Sequence, residues 1–126
     1  KFLILTLLLI STHAMAEWTK IGESDLKGGY TVYVDMASIL KTSDRAKMWI
    51  LFDYQVLQKA SGAEFLSEKV RREYDCNEKQ MRRLAFSVFS LKRGHGDLIR
   101  SYNQPQKWES VKPDSREETE WKAACN

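Results

Sequence analysis

The 126-residue chain has only two cysteines, Cys76 and Cys125, and they stand 49 positions apart. Such a pair can close a disulfide, join a metal site or run redox chemistry, and the N-terminal stretch KFLILTLLLISTHAMA decides among these. Lys1 precedes an apolar run, Phe2–Ile10, broken only by Thr6, and Ala14-Met15-Ala16 follows. A basic start, a short apolar segment and a small-x-small site describe a secretory signal peptide, residues 1–16, cleaved before Glu17. The run falls short of the about 20 apolar residues that span a bilayer, so no transmembrane segment is expected after cleavage. No cysteine follows it to carry a lipid. The protein is therefore expected to be exported, to the periplasm or to the cell surface and beyond. Disulfides persist in such oxidising compartments, and an even count in a small exported domain reads as one bridge. There is no C-x-x-C pair, and residues 17–126 hold one histidine, His95, besides the cysteines. Tetrahedral zinc needs four ligands. No metal and no cofactor is expected. Joining Cys76 to Cys125 should stabilise the fold by about 4 kcal/mol in the chain-entropy account.

Residues 17–126 suffice for one domain with one core. The formal net charge is +3, and Lys1 supplies one of those charges. So mild a balance gives no pull toward nucleic acid.

Most of the domain reads as strands. Trp18–Glu23 forms a short first strand, and Leu26-Lys27-Gly28-Gly29 a turn, because glycines supply positive backbone angles. Tyr30–Asp35 is β-branched and aromatic throughout, and Met36–Leu40 is expected to make one turn of helix. Lys47–Tyr54 alternates Met48, Ile50, Phe52 and Tyr54 against Trp49 and Leu51, so this strand should be covered on both faces. In Ser67–Cys76 the face Ser67, Lys69, Arg71, Glu73, Asp75 is polar. Val70, Tyr74 and Cys76 lie opposite, which is the pattern of a half-buried strand with Cys76 inward. Asn77-Glu78-Lys79 is a turn, Met81–Ser90 a fifth strand with Leu84, Phe86 and Val88 inward, and Asp97–Tyr102 a sixth.

Beyond Pro113, Ser115-Arg116-Glu117-Glu118 is a capping box that should open a short helix. In it Trp121 and Cys125 are four apart and share a face. Too short to hold alone, the helix is expected to be tethered through the disulfide, with Trp121 on the sheet face that carries Trp49 and Leu51. Cys76 is on this reading a structural link and not a reagent.

The order of these features resembles the bacterial surface-adhesin protein E family over nearly all of residues 17–126. The matching pieces are Trp18-Thr19-Lys20-Ile21-Gly22, Tyr33-Val34-Asp35 with Ser38-Ile39, and Trp49–Tyr54. They continue through Ser67 to Asp75-Cys76, Arg82-Arg83-Leu84, Gly94-x-Gly96, Trp108 before Val111-x-Pro113, and Ala124-Cys125. The resemblance implies an α+β fold: a single antiparallel β-sheet of about six strands with a C-terminal helix tethered by the Cys76–Cys125 disulfide. It also implies a non-enzymatic role in adhesion, through host extracellular-matrix and plasma proteins.

The candidate binding surface is the basic set Lys69, Arg71, Arg72 (nearer the edge), Arg82, Arg83, Lys92 and Arg93, since arginine is enriched at binding hot spots. Such charges can also serve only to solvate a sheet and discourage edge pairing. A second reading is a soluble periplasmic accessory or inhibitor of an envelope complex, favoured by Ala14-x-Ala16 where a lipidated cysteine would stand. Exposed strand edges allow pairing with a partner or a second copy as a homodimer. An enzyme is not expected. His95 with Asp97 has the composition of a base and its orienter, but neither a G-x-S-x-G elbow nor an H-E-x-x-H helix accompanies it. Gly94-x-Gly96 joins strand to strand, without the helix N-terminus that cradles phosphate.

Overall fold

The computed structural model describes residues 17–25 and 28–126. The expected signal peptide lies outside the described residues, as do Leu26 and Lys27 of the first turn. Seven strands build one antiparallel sheet: β1 (Trp18–Ser24), β2 (Tyr30–Thr42), β3 (Arg45–Ala60), β4 (Ala63–Asp75), β5 (Gln80–Phe89), β6 (Leu98–Tyr102) and the two-residue β7 (Glu109–Ser110). Each of the first six pairs with the next, and β7 pairs with β5 at Gln80 and Met81. A 3₁₀ turn (Lys92–Gly94) stands between β5 and β6, and helix α1 (Arg116–Cys125) ends the chain. The expected antiparallel sheet with one C-terminal helix is thus present. The sequence pattern did not announce β7.

Tight hairpins make this meander. Ser61 and Gly62 have φ of 50° and 79°, the two positive values of a type I′ turn that matches the twist of the flanking strands. Gly28 and Gly29, at 86° and 92°, bear out the glycine turn before β2.

The expected turn of helix at Met36–Leu40 is instead a continuation of β2, with an irregularity in its pairing to β3 between Asp35 and Leu40. The Ser38 hydroxyl donates to the Asp35 carbonyl at 2.6 Å and accepts from the Trp49 N–H at 2.9 Å. A side chain thereby satisfies a donor of the long partner strand, and tertiary pairing overrides a weak local preference.

Register assigns the faces. Val32 and Val34 of β2, Met48 and Ile50 of β3, and Val70 and Tyr74 of β4 are buried on one face, and α1 packs there with Ala124 fully buried. Trp121 joins this cluster, and its indole N–H donates to the Asp75 carbonyl at 3.0 Å. The expectation that Trp121 meets the Trp49 and Leu51 face is therefore corrected. Both faces of β3 are apolar, so periodicity alone could not choose the helix side. The Cys76–Cys125 disulfide, with a Cα–Cα distance of 5.6 Å, ties the helix end to the end of β4. Ser115 caps the helix, accepting from the Glu118 N–H at 3.1 Å. The Glu118 carboxylate reaches back to the Asp114 N–H at 3.3 Å, one residue before the usual capping-box partner.

The opposite, helix-free face is covered over one end by the loop between β5 and β6. The Ser67 hydroxyl donates to the Leu91 carbonyl at 2.5 Å and accepts from the Gly94 N–H at 2.9 Å. Asp53 accepts from the Arg93 N–H and pairs with its guanidinium at 3.2 Å. Ser67, expected on a solvated face, is buried in consequence, and Glu73, expected there too, is buried at the other end of β4 beside Arg45 and Arg82.

A bulge shapes β5. Arg71 stands opposite Ala85 and Arg72 opposite Arg83, so Leu84 has no partner on β4. Phe86 and Val88 face the helix side as expected. Leu84, also expected inward, lies on the helix-free side with Trp49 and Arg71.

Candidate binding surface

The candidate residues divide among three places. Lys69 and Arg71 stand on the helix-free face of β4, opposite Leu51 and Trp49. Lys92 and Arg93 form the 3₁₀ turn over that face, where the Arg93 guanidinium lies 4.3 Å from the Tyr33 ring centre. Arg72, Arg82 and Arg83 line one cleft of about 470 Å³ together with Met81, Lys112 and Glu117.

Arg72 is not near an edge, and this corrects its expected placement. It is 6% exposed on the helix side, held by Glu120 of α1, which is fully buried. Arg72 Nη1 donates to Glu120 Oε1 and Oε2 at 2.7 and 2.8 Å, and the Tyr74 hydroxyl donates to Oε1 at 2.5 Å. Arg116 Nη1 lies 3.5 Å from Oε2. Burial would pull the Arg72 guanidinium down, and the Glu120 charge more than reverses this and holds it above its ordinary value. Burial and then the same carboxylate push the Tyr74 phenol well up.

The other two cleft arginines are also answered. Arg82 pairs with Glu73 at 2.7 Å, and Arg83 approaches Glu68 at 3.7 Å. Burial raises the Glu68 carboxyl above its usual range despite Arg83 and Arg72. Burial also works to raise Glu117, but a backbone hydrogen bond and Arg116 prevail and lower it. Among the described residues, Lys112 and Glu109 line the cleft without an ion pair. The cleft is therefore a polar recess whose arginines are fixed by carboxylates from neighbouring strands and from α1.

Beside it, Trp108 is clasped by two guanidinium groups. Arg45 and Arg82 lie 4.6 and 4.5 Å from its ring centre, and Glu73 draws both arginines, at 3.8 and 2.7 Å. Cation–π contact and a shared counter-ion hold this stack without a long search of rotamers. Sequence reasoning did not single out Arg45 or Lys112, because they reach the surface through β3 pairing and through coil.

His95 is exposed, and its backbone N–H donates to the Lys92 carbonyl at 3.1 Å. Among the described residues no side-chain contact joins it to Asp97.

The helix start carries a pH signature. The Lys79 ammonium hydrogen-bonds Glu118, and this with the Asp114 N–H lowers the Glu118 carboxyl. A value lowered by folding stabilises above the ordinary glutamate pKa, about 4.3, and the contribution disappears as pH falls through the folded value. Glu68, raised by folding, has the opposite sign and gains as pH falls. Stability measured by urea unfolding between about pH 3 and 6 should fall on acidification, and Glu118→Gln should flatten that fall. An unchanged slope in the variant would remove Glu118 as its source.

A family model described as Surface-adhesin protein E matches residues 18–126. No curated protein matches the sequence. Among solved structures, protein E of Haemophilus influenzae is similar at a TM-score of 0.60 and 12% identity, covering 75% of this chain and 76% of that one. Its crystal form II gives 0.62 and 12%, over 75% and 79%. The structure of protein E from non-typeable Haemophilus influenzae gives 0.51 and 12%, over 82% and 71%. At such identity the likeness carries the fold.

Proposed function

Because the chain belongs to the surface-adhesin protein E family, we propose that it is an exported, non-enzymatic binding protein whose ligand is another protein, of the extracellular-matrix or plasma class. The observation that supports this most is the Arg45–Trp108–Arg82 stack, whose Arg82 also lines the polar cleft. Tryptophan and arginine dominate binding hot spots, above all where they are held in place before the partner arrives. The neighbouring cleft adds Lys112 and Glu109, two charges free to meet opposite charges on a partner.

Replacing Arg82 and Trp108 together with alanine tests the reading. Binding to a panel of immobilised matrix and plasma proteins should weaken by about tenfold or more, the effect of losing a hot spot worth about 2 kcal/mol, while circular dichroism stays that of the folded sheet. Unchanged binding by the folded variant would reject this surface.

A second reading, a soluble periplasmic accessory or inhibitor of an envelope complex, is favoured by Ala14-Met15-Ala16 read as a cleavage site. Protease shaving of intact cells separates the two. Loss of the protein from intact cells supports display, and protection until the outer membrane is opened supports the accessory role.

A further inference from the structure

We propose that the helix-free face of the sheet carries a second binding site, built on Arg71 and Trp49, that takes an acidic saccharide. Register sets Trp49, Arg71 and Ala85 side by side on three adjacent strands, with Lys69, Ser87 and Ser101 forming the next row. Neighbouring strands lie about 4.8 Å apart, so these side chains form a continuous surface. An open groove of about 350 Å³ runs over it, lined by Trp49, Arg71, Ala85, Ser87, Ser101 and Asn103 among others, and no carboxylate lines it.

The charge of Arg71 is the first argument. Its cross-strand neighbours are Trp49 and Ala85. Along its own strand the same-face neighbours are Lys69 and Glu73, and Glu73 is already engaged by Arg82 and Arg45. Among the described residues, the half-buried guanidinium of Arg71 has no ion pair and no hydrogen-bond acceptor. Lys47, on the same face two residues from Trp49, is likewise without an ion pair among the described residues. The sheet here presents a planar, five-donor fork to solvent, a group whose geometry suits a carboxylate held by two parallel bonds.

The groove's chemistry is the second argument. A half-buried indole beside two hydroxyls and a carboxamide offers an apolar plate bordered by donors and acceptors. A pyranose ring has the complementary character, with a C–H face and a rim of hydroxyls. Leu84 and Tyr102 add apolar surface beside Trp49, and Ala85, Ser87 and Ser101 contribute only small side chains. The cleft on the helix side is the poorer place for an anion, because its three arginines are already engaged by Glu120, Glu73 and Glu68 and because Glu109 and Glu117 line it beside Lys112.

The test is a heteronuclear NMR titration of the exported chain with 3′-sialyllactose, with lactose as the neutral control and penta-glutamate as the anionic peptide control. Saturable shifts are expected at the Trp49 indole and at the Ser87 and Ser101 amides, weakened by added salt and absent with lactose at equal concentration. Arg71→Ala should weaken binding at least tenfold, and Arg71→Lys should recover only part of it, since the charge returns without the fork. The titration of the unaltered protein stands even where a variant loses its fold. Equal binding of lactose would overturn the role of Arg71. Equal or tighter binding of penta-glutamate would overturn the saccharide in favour of an acidic peptide. Shifts confined to the helix-side cleft, or no shifts, would overturn the site.

Discussion

Glu120→Ala is expected to cost about 3–5 kcal/mol, the toll of leaving a buried charge without its partner. Total stability for a domain of this size is about 5–15 kcal/mol. Glu120 is fully buried and gathers Arg72, Tyr74 and Arg116 around one carboxylate. Its removal strands the Arg72 guanidinium between sheet and helix, where its other neighbours are the Phe52 ring at 5.7 Å and the Met81 sulfur at 4.0 Å. Glu120→Gln keeps the shape and one acceptor, so it should cost less. The double replacement Glu120→Leu with Arg72→Met should recover much of the loss, because a buried ion pair exchanged for apolar groups is often neutral or better. Urea midpoints for the four proteins, with helical ellipticity as a second probe, measure all of this. A Glu120→Ala protein with the parental midpoint would show that the network contributes nothing net.

The second large effect belongs to the disulfide. Cys76→Ser with Cys125→Ser is expected to cost about 2–5 kcal/mol, the range for a native bridge in a small exported domain. The bridge closes 49 residues of chain. It ends in a helix whose last turn has few other ties to the sheet: the Lys41 ammonium donates to the Cys125 carbonyl at 3.0 Å, and Ala124 is buried. The same loss should follow reduction of the unaltered protein, read as a lower urea midpoint. Because Glu120 and the disulfide hold the same helix, their losses should be less than additive when combined. Full additivity would mean that α1 stays docked after either loss.

These two anchors show what could be read from the chain and what could not. The disulfide was legible because redox compartment and cysteine count are one-dimensional facts. The strands were legible where alternation was clean, as in Val70, Tyr74 and Cys76, and the Ser115 cap was legible from its spacing. The Arg72–Glu120 pair was not. A charged residue at a core position contradicts the apolar pattern, and only the juxtaposition of β4 with α1, 48 residues on, makes it satisfiable. For the same reason Arg72 was expected near the surface. The candidate surface was legible as an arginine-rich composition and no further. Which of Arg82, Arg83 and Arg71 share a place depends on register, and register here shifts at a bulge.

That bulge bears on how the chain tolerates change in its length. Leu84 is the one residue of β5 without a counterpart between Arg71 and Arg72. Strand faces repeat every two residues. Arg83 and Ala85, on either side of it, already face opposite sides as partners of Arg72 and Arg71, so excising Leu84 would close a regular ladder and leave every side chain on its own face. Excising Val70, which is paired with Ile50 on one side and Phe86 on the other, would instead turn β4 over on one side of the cut. Two equal changes of length on adjacent strands thus differ in kind: at the bulge the molecule is edited, at a paired position it is turned inside out.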